Sequence, residues 1–61
     1  MKKVCLKFET NLRLFEFIDV AAISNYEVDR IRNVIRVELS NADIELAERC
    51  FRAKVLRMQL A

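Results

Sequence analysis

The chain has 61 residues, 54% of them hydrophobic, 33% charged and 8% aromatic, with no glycine, proline, histidine or tryptophan. That length suits a single domain over residues 1–61, and so small a domain buries only about 60% of the surface its unfolded chain exposes, which leaves stability to a dense core or a partner. Without glycine or histidine no phosphate-cradling loop, histidine base or zinc-finger pattern can be written, and eleven basic against nine acidic residues give a net charge of +2, too mild to demand a polyanionic partner.

The basic excess sits late: from Arg49 onward come Arg49, Arg52, Lys54 and Arg57 with no acid among them. Cys5 and Cys50 have no CxxC spacing, so free structural thiols are expected rather than a metal site. Met1-Lys2-Lys3 imitates the start of a signal peptide, but Lys7 and Glu9 interrupt what would be its apolar stretch. The longest uncharged run, Val20 to Tyr26, is far below the ~20 residues of a membrane span. A soluble, cytoplasmic protein without a membrane partner is the expectation.

Residues 3–9 alternate, with Val4, Leu6 and Phe8 on one face and Lys3, Cys5, Lys7 and Glu9 on the other, as in a half-buried strand. Residues 12–20 fit a helix better than a strand. At ~100° per residue Leu14, Phe15, Ile18, Ala21 and Ala22 gather on one side, away from Arg13, Glu16 and Asp19, with Thr10 or Asn11 as the cap. Leu12, Val20 and Ile23 fall off that stripe and Phe17 lies at its margin, so these four are expected to be partly wet. Ser24-Asn25 breaks the helix, and two strand-like runs come next.

A two-residue turn at Arg32-Asn33 would set Val28 against Val37 and Tyr26 against Leu39 on one face, and Asp29 against Arg36 and Ile31 against Val34 on the other. This register also opposes Glu27 to Glu38 and puts no glycine in the turn, both of which count against it. Ser40-Asn41-Ala42-Asp43 opens a second helix, with Ile44, Leu46, Ala47, Cys50 and Phe51 on its apolar face. Continuing that wheel would carry Lys54 and Arg57 into the apolar face. Strand parity instead separates Leu56, Met58 and Leu60 from Val55, Arg57 and Gln59, so a final strand over residues 53–60 is expected, with one long C-terminal helix as the alternative.

The resulting βαββαβ order resembles the ferredoxin-like α+β two-layer sandwich, which implies an antiparallel sheet in the order 4-1-3-2 with two helices on one face and the other face open. The expected core is Leu6, Phe8, Phe15, Ile18, Val28, Val37, Ile44, Ala47 and Phe51. RNA-binding domains of this fold stack bases on aromatic residues of the central strands, whereas the displayed positions here are Lys3, Cys5, Lys7, Val34, Arg36 and Glu38. The CxxC loop of metal-carrying relatives and the glycine-containing first loops of amino-acid-sensing and acylphosphatase-like domains are missing too, since the first loop reads Glu9-Thr10-Asn11.

For catalysis, Cys5 between Lys3 and Lys7 meets only weakly the need of a reactive thiol for a cationic neighbour, and no histidine base exists. Tyr26 is expected at the rim of the core with its hydroxyl in water. No catalytic residue, metal or cofactor is therefore expected. The favoured function is a non-catalytic interaction module that forms a homo-oligomer or binds another protein, through Cys5, Phe17, Ile31, Val34 and Val55. The alternative is a nucleic-acid-binding domain that uses Lys3, Lys7, Arg36, Lys54 and Arg57.

Overall fold

The computed structural model describes the backbone of residues 1–60 and the side chains of residues 1–58. Its six elements are, in chain order, β1 (Lys2–Lys7), α1 (Asn11–Val20), β2 (Tyr26–Asp29), β3 (Val34–Leu39), α2 (Asn41–Cys50) and β4 (Lys54–Leu60). The strands form one antiparallel sheet in the order β2-β3-β1-β4, which is the expected 4-1-3-2 read from the other edge. The C-terminal segment is a strand paired with β1 rather than an extension of α2. The chain is thus a compact α+β sandwich of the ferredoxin-like topology, 26 × 20 × 19 Å in extent.

Each helix is started by a hydroxyl cap. Thr10 Oγ1 accepts from Arg13 N at 3.2 Å and Ser40 Oγ accepts from Asp43 N at 3.3 Å, each satisfying one amide that the first turn leaves free. The helix ends are less conventional, because the left-handed conformation usually given to glycine falls to Ala22 (φ 54°) and Arg52 (φ 55°). After α1, Ala22 N donates to Asp19 O and Ile23 N to Ile18 O, which closes a full C-terminal capping motif just ahead of Ser24-Asn25. After α2, Phe51 N and Ala53 N both donate to Ala47 O. The chain reverses there although good helix formers continue into β4.

The hairpin differs from the expected one by two residues. Arg30 to Asn33 form a four-residue connection, and the register pairs Tyr26 with Val37, Glu27 with Arg36, Val28 with Ile35 and Asp29 with Val34. The Asp29 carboxylate accepts from Ile31 N and Arg32 N, and Asn33 takes a left-handed φ of 58° while its amide donates to Glu9 O. A shift by two keeps every side chain on its expected face. It also removes the Glu27–Glu38 clash and gives Glu27 an ion pair with Arg36 at 3.2 Å.

The core lies between the helices and one face of the sheet. Buried there are Val4, Leu6 and Phe8 from β1 and its extension, Leu14, Phe17 and Ile18 from α1, and Ile35, Val37 and Leu39 from β3, closed by Ile44, Ala47 and Ala53. Phe17 is fully enclosed, with its ring 5.4 Å from Phe8 and 5.5 Å from Phe51. Phe15, expected inside, is instead 37% exposed beneath the Arg30 guanidinium. Leu14, Phe17, Ile18 and Ala21 form the i, i+3, i+4, i+7 stripe of α1, so the buried arc is rotated from the expected one and excludes Phe15. Val28 and Phe51 pack against the core while keeping some exposure, and Cys50 is exposed.

Candidate functional site: the open sheet face

Among the described residues, the face of the sheet turned away from the helices is covered by no other element. Alternation along β1 and β3 sends Val4, Leu6, Ile35, Val37 and Leu39 inward and presents Lys3, Cys5, Lys7, Val34, Arg36 and Glu38 outward. From β2 come Glu27 and Asp29.

On β4 the alternation is broken by a bulge. Leu6 pairs with Val55 but Cys5 pairs with Arg57, so Leu56 is an extra residue in the ladder. Val55 consequently packs against the core, and Leu56, 53% exposed, joins Cys5, Val34 and Arg57 around a shallow hollow on the open face. Lys54 also moves to this face, opposite Lys7. The expectation that Val55 faces outward with Arg57 is therefore corrected at Val55, because strand parity presumes an unbroken ladder, and the side chain of Gln59 lies outside the described residues.

The registers arrange the face in rows across the strands. One row reads Asp29, Val34, Lys7, Lys54; the next reads Glu27, Arg36, Cys5, Arg57; in the third, Glu38 lies beside Lys3. Charge is segregated across these rows. Strands β1 and β4 contribute Lys3, Lys7, Lys54 and Arg57 with no acid between them, whereas β2 and β3 contribute Glu27, Asp29 and Glu38 around the single cation Arg36. Among the described residues, ion pairs bind Arg36 to Glu27, Arg32 to Asp29 and Arg13 to Glu16, and none involves these four cations of β1 and β4.

Of the residues expected at an apolar interface, Cys5 and Val34 are half-buried near the middle of this face, and Ile31 stands 94% exposed at the hairpin tip. Phe17 and Val55 are not available: the first is fully buried and the second belongs to the core side. All five residues expected to contact nucleic acid, Lys3, Lys7, Arg36, Lys54 and Arg57, do share the open face. Leu56 is the member that sequence reasoning missed, since a bulge leaves no mark in the alternation of residue types. Among the described residues, no aromatic side chain belongs to the rows of the open face.

Cys5 and Cys50 are free thiols. Among the described residues no group of three or more Cys, Asp or Glu side chains is placed to hold a metal ion, and no helix is long and apolar enough to cross a membrane. Comparison of the chain with protein-family models, with curated proteins and with solved structures finds no match.

Proposed function

We propose that this chain is a small interaction module without chemistry of its own, which self-associates through the open face of its sheet. The observation that carries the proposal is the segregation of charge across that face, acidic on β2 and β3 and basic on β1 and β4, around Cys5, Val34 and Leu56. Such a surface is complementary to a rotated copy of itself. Its ion pairs would be solvated at the rim and individually weak, so the apolar centre has to supply area as well. The two unpaired thiols suit a reducing compartment such as the cytoplasm.

Sedimentation equilibrium over a concentration series tests this. The expected result is a mass that rises from one chain to two, and a single-chain mass throughout would remove the proposal.

A second reading, a phosphate-binding surface for nucleic acid, is favoured by one observation: Lys3, Lys7, Lys54 and Arg57 adjoin one another with no carboxylate paired to them. Four phosphate contacts on a DNA duplex would cost about 150-fold in affinity between 50 and 200 mM salt, roughly a slope of −0.9 per contact. A duplex titration that shows no binding at low salt eliminates this reading.

A further inference from the structure

We infer that the dimer packs open face on open face about a two-fold axis parallel to the strands, so that β4 of each copy lies over β2 of the other. The inference rests on the proposal that the chain self-associates, and it fixes the geometry. Two sheets stacked face to face keep their strands within about 30° of one another. An in-plane two-fold axis can satisfy this in two limiting ways, along the strands or across them. An axis across the strands through the middle row would superpose each strand on its own copy, and bring Arg57 against Arg57 and Lys7 against Lys3. Rotation along the strand direction exchanges the left and right halves of each row instead.

The rows of this sheet are close to antisymmetric under that exchange. In the first row Lys54 meets the partner copy's Asp29 position and Lys7 meets that of Val34; in the second, Arg57 meets Glu27 and Cys5 meets Arg36; in the third, Lys3 meets Glu38. Every acid on the face is thereby set against a cation, and no like charges meet. Leu56, lying beside Arg57 in the bulge, comes over the partner copy's β2 and adds apolar area at the side of the interface, while at its centre the aliphatic stems of Lys7 and Arg36 cover Val34 and Cys5.

The area available is modest. Four strands spaced about 4.8 Å apart and about six residues long give a face of about 400 Å² per copy. Twice that falls below the usual size of a stable interface, so the dimer is expected to be weak and concentration-dependent, with charge matching selecting its orientation.

Arg57 and Glu27 provide the test, because they lie on opposite edges of one sheet, three strand spacings or about 14 Å apart. Any coupling between them must therefore pass between copies. Arg57→Glu alone and Glu27→Arg alone each turn two symmetry-related attractions into repulsions, and each should weaken self-association about tenfold or more. Mixing the two variants should restore it, since in the mixed dimer both pairs are again of opposite sign.

The experiment is sedimentation equilibrium of the wild type, each variant and the equimolar mixture, from micromolar to millimolar concentration, with circular dichroism as the check on folding. Recovery of the two-chain mass only in the mixture supports the geometry. A wild-type dimer with variants that dimerise equally well, or a mixture that stays monomeric, overturns the axis while leaving self-association standing. A wild type that is monomeric throughout overturns both. If that monomer binds a DNA duplex with steep salt dependence, the phosphate-binding reading replaces them.

Discussion

Replacing Ala22 with glycine should make the protein more stable, although it removes a methyl group and touches no contact. Ala22 is exposed and sits at φ 54°, where an L-residue with a Cβ is strained by about 1–2 kcal/mol. Glycine relieves that strain but adds freedom to the unfolded chain, which offsets about 0.4–1 kcal/mol of the gain. The net is about 0.5–1 kcal/mol in favour of the folded state, the difference between those two terms. Arg52, exposed at φ 55° and without an ion pair among the described residues, should respond in the same way. For a domain of this size about 1 kcal/mol corresponds to about 4–8 °C in Tm.

Two controls make this prediction sharp. Ala21 is the immediate neighbour but right-handed at φ −82° and half-buried, so Ala21→Gly should destabilise by about 0.5–1 kcal/mol. Asn33→Gly should gain little, because asparagine tolerates φ 58° and its amide holds Glu9 O. Thermal and urea unfolding by circular dichroism at one fixed protein concentration would measure all four. Ala22→Gly and Ala21→Gly moving stability in the same direction would refute the account of the helix end.

Phe17→Ala should cost about 3–5 kcal/mol, most of what a domain of this length has, whereas Phe15→Ala should cost under about 1 and Phe51→Ala an intermediate amount; chemical denaturation gives the ranking. Thr10→Ala and Ser40→Ala should each lose about 1 kcal/mol in the same assay, through the amide each hydroxyl caps. Deleting Leu56 should leave the chain folded and near its original stability, because Val55 and Arg57 then continue an unbroken ladder against Leu6 and Cys5. Deleting Met58 should destabilise it instead, since the polar Gln59 is then drawn opposite the inward-facing Val4, and urea midpoints would separate the two deletions.

Element types and order were legible because the periodicities are clean: period two in β1 and β3, and hydroxyl caps where both helices begin. What was not legible shares a physical cause, the phase of each element. In α1 the aromatic pair Phe15 and Phe17 differs by about 200° on the wheel, and the i, i+3, i+4, i+7 set through Leu14, Phe17, Ile18 and Ala21 was the signal that distinguishes them. In the hairpin, Asp29 as a local acceptor and Asn33 as a left-handed residue marked a longer connection, and the opposed Glu27 and Glu38 of the shorter one were its warning. In β4 nothing local distinguishes Leu56 as the extra residue. The open face was accordingly readable in most of its charges, and the bulge alone exchanged Val55 for Leu56 and added Lys54.

The bulge at Leu56 has a consequence for how large an assembly the chain can form. A sheet of four strands has two unpaired edges, and an edge strand with exposed leucine and methionine is a template on which further chains can add without limit. Here β2 is only four residues long and ends in the charged Asp29-Arg30 corner, while β4 is longer but kinked at its bulge, with Lys54 and Arg57 on either side. Neither edge offers the long, straight row of amides and carbonyls that a fibril needs. The irregularity that spoils the strand's alternation thus makes this edge a poor template for open-ended stacking.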